Sequence, residues 1–381
     1  MIKALGTSQL VSGALAALIG FASSFAIVLS GLQAMGASAQ QAAIGLGILN
    51  LVTGVLSIAL GMYFRMPVAL AWSTPGAAFL ATLALPAGGF SEACGAFLIS
   101  SLAIALTGWI RPLRQAVERI PMVLSSAMLA GILLNICLMP VHALVQEPLL
   151  VAPVILTWFV VSFFSTLWAV PSAVVAAALV MAWGDYWPSD LVWQLTPLTS
   201  LMPTFSLASA AGIALPLYLI TMTSQNLAGL AVLNSYGYQP ALAPILKSTG
   251  LGSALCSLFG GHHVNLASLT SAMCANPDVG PKETRFGAVI SGGVVFILMG
   301  LGCAIMIPVA LAAPANLVPA IAGLALIGAT AGALKNAFEP DASREAAVVC
   351  FVVTAAGVSI AGIGSAFWGL VLGAVIYRFK R

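Results

Sequence analysis

The sequence predicts an all-α polytopic membrane protein of about fourteen transmembrane segments, arranged as a seven-plus-seven inverted repeat whose third and tenth segments are broken. Three observations carry this: charge is scarce, the apolar runs are long enough to cross a membrane, and Pro and Gly interrupt two of them at matched places. Charged residues are 6% of the 381 and hydrophobic ones 61%, with a mean hydropathy of +1.09. A soluble domain carries about a quarter charged residues because its surface must be wetted. This chain cannot cover such a surface, so most of its solvent is lipid. A helix crosses the hydrocarbon core in roughly 20 apolar residues, which leaves room for a dozen or more crossings. A transmembrane β-barrel would show short strands of alternating polarity, and the continuous Ala, Leu, Val, Ile and Gly runs contradict that.

In chain order the runs and their breakers place segments at 10–33, 42–64, 67–86, 92–110, 121–140, 149–168 and 170–184, then at 206–234, 241–259, 262–276, 286–312, 315–334, 346–361 and 363–378. The first run is too long for a signal-peptide core and lacks a small-residue cleavage site, so it reads as an uncleaved span. A polar, Trp-rich stretch, Asp185-Tyr-Trp-Pro-Ser-Asp-Leu-Val-Trp, joins the halves as a loop or an interfacial anchor. With the N-terminus inside, Lys3, Arg65, Arg111, Arg114, Arg119, Lys282, Arg285, Lys335, Arg344, Arg378, Lys380 and Arg381 fall on the inner side, and Lys247 lies near it. The outer loops receive Glu92, Glu147, Asp185 and Asp190 and no Lys or Arg. That is the positive-inside distribution, and it puts both termini in the cytoplasm. The six cysteines are scattered in or beside apolar runs without metal-like spacing, where Cys behaves as a small hydrophobe.

Seven segments, a connector and seven more make the second half start from the opposite side, as in an inverted-topology repeat. The third segment of each half is anomalous. One holds Ser73, Thr74, Pro75 and Gly76 at membrane depth, and the other holds Gly261, His262, His263 and Asn265. Pro and Gly break helices, and unpaired backbone survives in a membrane only where it is buried or lines a cavity. Two short half-helices whose N-termini meet at the midplane would present free N–H groups and partial positive charge, an anion site that needs no Arg or Lys. In the eighth segment Gln225 and Asn226 stand among apolar residues as cavity-lining or interhelical amides. His262 and His263 are the ionisable side chains at depth, and imidazole is the natural proton carrier. No paired nucleophile and base and no His-Glu-x-x-His motif occurs, so neither an enzyme nor a metal or other cofactor is expected. The reading is a secondary transporter.

Ser73-Thr-Pro-Gly-Ala, Thr223-Ser-Gln-Asn-Leu-Ala-Gly and Gly261-His-His-Val-Asn-Leu-Ala together resemble the benzoate:proton symporter family over essentially the whole chain. That family is similar in architecture to the uracil/xanthine permeases and the sulfate permeases. The resemblance implies a core domain (1–119 and 206–312) moving against a gate domain (120–205 and 313–381). It also implies an extended piece before each half-helix, and substrate held between them beside the eighth segment. The expected activity is proton-coupled uptake of benzoate or a similar aromatic carboxylate by alternating access across a bacterial inner membrane. The carboxylate would meet the half-helix N-termini near Thr74–Ala77 and Val264–Leu266, with Ser73, Gly76, Gln225, Asn226 and Asn265 around it. The ring would lie against Phe21, Phe25 and Phe79, and His262 or His263 would handle the proton. The nucleobase permeases carry acidic residues where this chain has Gln225 and the His262–Asn265 region, which favours an anion over a nucleobase. The partners expected are that carboxylate, protons and lipid, with no nucleic acid, in a monomer or homodimer.

Overall fold

The computed structural model describes residues 6–118, 120–188, 195–196, 198–339, 343–360 and 363–379. Most of the expected Trp-rich anchor, residues 189–193, lies outside the described residues, as do Lys3, Arg119, Lys380 and Arg381. Segment one is α1 (Thr7–Ala22) with α2 (Phe25–Ala34), segment two is α3 (Ala39–Phe64), segment three is β1 (Leu70–Trp72) with α4 (Thr74–Ala81), and segment four is α5 (Gly89–Trp109). A short amphipathic helix, α6 (Arg111–Glu118), leads to segments five to seven: α7 (Met122–Cys137) with α8 (Met139–Gln146), α9 (Pro148–Phe164) and α10 (Thr166–Trp183). Segment eight is one helical run made of α11 (Leu207–Ser209), α12 (Leu215–Ile220) and α13 (Leu227–Ser235) with two π-helical stretches between them. Segment nine is α14 (Leu242–Ser257), ten is β2 (Val264–Leu266) with α15 (Ser268–Ala275), and eleven is α16 (Phe286–Leu301) with α17 (Cys303–Ala312). Segments twelve to fourteen are α18 (Leu317–Phe338), α19 (Arg344–Ala355) and α20 (Ser365–Phe379).

All fourteen expected segments therefore have a counterpart, and eight helical stretches among the described residues are long and apolar enough to cross a membrane. The boundaries moved where local chemistry overrides hydropathy. The sixth and seventh segments meet at Ser165, earlier than the apolar pattern implies. Segment thirteen stops at Ala355, because Gly357 turns the chain at φ 65° and a two-strand pair, β3 (Ser359–Ile360) with β4 (Ile363–Gly364), follows. Glu92, expected in an outer loop, is in the first turn of α5 and only 7% exposed. Its carboxylate folds back to accept the Gly88 N–H at 2.6 Å and also accepts the Ser206 hydroxyl. Satisfied by those donors at a helix N-terminus, it no longer needs water.

The inverted repeat is visible in the packing. Helix α3 lies against α16, and its counterpart α14 lies against α5; α9 packs on α10 as α19 packs on α20. At the centre β1 and β2 run antiparallel with Leu70 opposite Leu266, Ala71 opposite Asn265 and Trp72 opposite Val264. The pseudo-two-fold axis thus passes between Ala71 and Asn265, and it relates Ser73 to Ala267 and Thr74 to Ser268. Extended backbone at membrane depth must find hydrogen-bond partners within the protein, and each strand supplies them for the other.

Candidate functional site

The site is built outward from that crossing. Beyond the strand pair the backbone continues to be bridged, with Ser73 N donating to His263 O at 2.9 Å and Ala267 N to Ala69 O at 3.0 Å. Two serines that the sequence reading passed over hold the outer edges. Ser57 Oγ on α3 accepts Leu70 N at 3.1 Å, and Ser253 Oγ on α14 accepts Val264 N at 2.8 Å. They occupy related places in the two halves. Each looks like an ordinary transmembrane serine in sequence, and only the fold shows what it does. Ser253→Ala strands the Val264 N–H in the interior, a loss of about 1–3 kcal/mol. Thermal unfolding in detergent should register it, and Ser57→Ala should show a shift of similar size.

Segment eight is locally underwound twice, which no sequence signal announced. Pro216 cannot donate a backbone hydrogen bond and crowds the carbonyl four residues before it, and the π-helical stretch Ala210–Ala214 precedes it. The second stretch, Thr221–Asn226, is held by side chains taking over backbone roles. Thr223 and Ser224 donate back to Leu219 O and Ile220 O at 2.8 and 2.5 Å, and Asn226 Nδ2 donates to Thr221 O at 3.3 Å. Such π-bulges recur at functional sites. This one presents Thr221, Gln225 and Asn226 to the crossing.

A chain of hydrogen bonds binds segments three, eight and ten. Thr221 Oγ1 lies 3.0 Å from His263 Nδ1 and donates to Ser73 Oγ at 3.0 Å. Ser73 Oγ also accepts Gly76 N at 3.2 Å, capping α4. The His263 N–H donates to His262 Nδ1 at 2.6 Å. Both imidazoles are fully buried, and their Nε2 atoms meet no hydrogen-bond partner among the described residues. Neither histidine is on a helix; both sit in the turn that enters β2.

The expected binding residues separate under this geometry. Asn226 is engaged on both sides, its Oδ1 accepting Leu266 N at 3.0 Å. Val264 and Leu266 form the strand, so the second half-helix starts at Ser268, a few residues later than the Gly and His breakers implied. Gln225 is half-buried, and its Oε1 takes only a long 3.4 Å contact from Asn265 Nδ2. Asn265 Oδ1 is buried with no partner among the described residues. Thr74, Gly76 and Ala77 make up the first turn of α4, as expected. Phe21 stacks on Phe25 at 5.5 Å between centroids and meets Trp72 edge-on at 5.9 Å. Trp72, next to Ser73, was missed, and its Nε1 donates to Ser24 at 2.9 Å where segment one breaks between α1 and α2. Phe79 stands apart from that cluster. It lines a cavity of about 310 Å³ walled by segments three, four and eight on one side and five, thirteen and fourteen on the other, with Glu92, Asn135, Ser209 and Thr354 among its polar groups. Among the described residues no cluster of His, Cys, Asp or Glu could hold a metal ion.

Two broken segments crossing at the pseudo-two-fold axis of a fourteen-segment repeat, in a chain whose solvent is lipid, define an integral membrane transporter. The chain belongs to the benzoate membrane transport protein family, whose model it matches over residues 4–379. It is 37% identical over 370 residues to the Inner membrane protein YdcO of Escherichia coli (strain K12), covering 97% of this chain and 94% of that one. It is 31% identical over 375 residues to the Benzoate membrane transport protein of Acinetobacter baylyi, with the same coverage of 97% and 94%. Among solved structures, the transmembrane domain of the cyanobacterial bicarbonate transporter BicA superposes with a TM-score of 0.62 at 17% identity, over 98% of this chain and 96% of that one. SLC26A9 superposes with a TM-score of 0.66 at 12% identity, over 97% of this chain and 65% of that one. These likenesses establish the fold.

Proposed function

We propose that this protein is a secondary active transporter that couples protons to the uptake of benzoate or a similar aromatic carboxylate across the inner membrane. The observation that carries the reading is the chemistry of the crossing. Two half-helices begin there, Gln225 offers an amide without a firm partner, and the crossing segments contain no Asp or Glu. Helix N-termini and amides attract an anion, and the lack of carboxylates avoids repelling it. The family supports an aromatic acid as cargo, since a relative is named a benzoate transport protein, and a relative named an inner membrane protein supports the location.

In this reading the substrate carboxylate sits at the half-helix N-termini near Thr74 and Ser268, with Gln225 and Asn265 as neighbours and the Phe21, Phe25 and Trp72 cluster as the apolar ground nearby. His262 and His263 handle the proton through the nitrogens left unpartnered. Segments one to four and eight to eleven form the moving core and the rest form the gate, with the cavity between them as the route in. Both termini face the cytoplasm. The test is uptake of radiolabelled benzoate into proteoliposomes with and without an inward proton gradient. Gradient-driven accumulation, abolished by a protonophore, is the expected result. Equilibration without accumulation makes the protein a facilitator, and unchanged gradient-driven uptake by His262→Gln removes that histidine from coupling.

A further inference from the structure

The cavity beside Phe79 has one acidic wall. Phe79, Leu83, Ile132 and Ile213 give it apolar surface, Asn135 and Ser209 give it hydrogen-bonding groups, and Glu92 is the one titratable residue among the described residues that line it. At about 310 Å³ it is at the small end of ligand pockets. An anion inside it therefore lies close to the Glu92 carboxylate and is repelled in surroundings of low dielectric.

No cation on the neighbouring elements offsets that charge. On α14, Lys247 lies over Trp109, at the far end of α5, and Cys256 donates to Ile48 O. On segment eight Tyr218 pairs with Thr107, toward the same far end, and Arg111, Arg114 and Glu118 follow Trp109 on α6. His262 and His263 sit in the turn whose Gly260 faces Phe90; both are buried, and His263 is bonded to Thr221. Across the cavity, Cys137 of α7 pairs with Thr330. Helices α19 and α20 carry Arg344, Glu345, Tyr377 and Arg378 at the ends away from Thr354 and Ser365.

The Ser206 hydroxyl, at the start of segment eight, has two acceptors within reach. Glu92 Oε1 takes it, while Oε2 takes the Gly88 N–H at 2.6 Å. Ser209 Oγ, on the cavity wall, lies 3.0 Å from the same hydroxyl. An ionised Glu92 holds the hydroxyl, because a bond to a carboxylate is the stronger of the two. A protonated Glu92 releases it to Ser209, and the acid O–H is then free to donate into the cavity.

We propose that Glu92 controls substrate entry by protonation: the carboxylate occupies the cavity when Glu92 has bound a proton from the outer water, and the two share that proton in one hydrogen bond. One proton is bound per anion admitted, and it returns to water if the anion leaves the same way. This rests on the aromatic-carboxylate reading above and adds the residue that sets its dependence on outer pH. His262 and His263 act later, at the crossing.

The experiment is the KM of radiolabelled benzoate uptake into proteoliposomes over a series of outer pH values, counted above passive entry into empty liposomes. In the parent, KM should rise about tenfold per pH unit once Glu92 ionises, the slope of one linked proton. Glu92→Gln keeps the shape and stays neutral, so it should hold KM within about twofold across the same series. Ser206→Ala removes a donor that favours the ionised form, so the rise should begin about half to one pH unit higher. A purely structural role for the pair would raise KM equally at every pH in both variants and overturn the proposal. A flat parent profile, or a Glu92→Gln profile that follows the parent's, overturns it as well. If the parent takes up neither benzoate nor another aromatic carboxylate at any pH, the substrate reading itself fails, and this role of Glu92 fails with it.

Discussion

Gln225→Glu is expected to lower benzoate affinity about thirty- to a hundredfold at neutral pH, and to return it toward the parent value as the pH falls and the new side chain protonates. The side chain keeps its length and shape, so packing changes little and charge is what is tested. Two like charges about 4 Å apart repel by about 4 kcal/mol at an effective dielectric near 20. Gln225 is half-buried, so water screens part of this, and about 2–3 kcal/mol remains after that discount. At 1.4 kcal/mol per factor of ten that gives the stated range. Binding across a pH series measures it, with Gln225→Leu separating the loss of a donor from the gain of a charge. The leucine variant should bind weakly at every pH, and the glutamate variant should bind weakly only where it is ionised. Parent-like affinity in the glutamate variant at neutral pH would move the carboxylate away from segment eight.

The global fold was legible because lipid imposes a simple rule on composition and run length. Fourteen apolar runs with few charges between them leave little choice but a polytopic helical protein, and Pro75, Gly76 and Gly261 marked where two of those helices had to break. What sequence could not supply was the backbone geometry around the breaks. The strand β2 occupies Val264–Leu266, where the breakers suggested the start of a helix, because those residues pair with β1 from the other half of the chain. Sequence left Asn226 open as a cavity-lining or an interhelical amide, and in the fold its acceptor and donor are both engaged, by Leu266 and Thr221. Ser57 and Ser253 gain their roles only because the chain folds back to lay Leu70 and Val264 against them, and Trp72 only through Ser24 on segment one. The π-helical turns of segment eight leave no periodicity signal, since one extra residue per turn over a few residues is invisible among apolar neighbours.

Close backbone approach near the crossing gives the second large effect. Gly45 on α3 faces the turn before β2, and a Cβ added there would lie 2.6 Å from Gly260 O, 2.9 Å from its carbonyl carbon and 2.9 Å from Leu32 Cδ1. The two nearest atoms are backbone, so no rotamer change relieves the clash. Gly260 cannot yield easily either. Its φ of 82° is a conformation other residues rarely adopt, and the turn it makes leads directly into His262, His263 and β2. Gly45→Ala is therefore expected to cost about 1–3 kcal/mol as an overpacking change, visible as a lower unfolding temperature in detergent. Transport should fall further than stability, because the displaced turn carries the His263–Thr221–Ser73 chain that holds three segments at the site. Gly328→Ala is the matched comparison. It lies inside α18 with nothing within 4 Å of the added Cβ, and it should leave the unfolding temperature unchanged or raise it slightly through better helix propensity. If Gly45→Ala unfolds and transports like Gly328→Ala, then α3 and the turn do not meet as closely as described. The crossing would then be free to shift without loss of function.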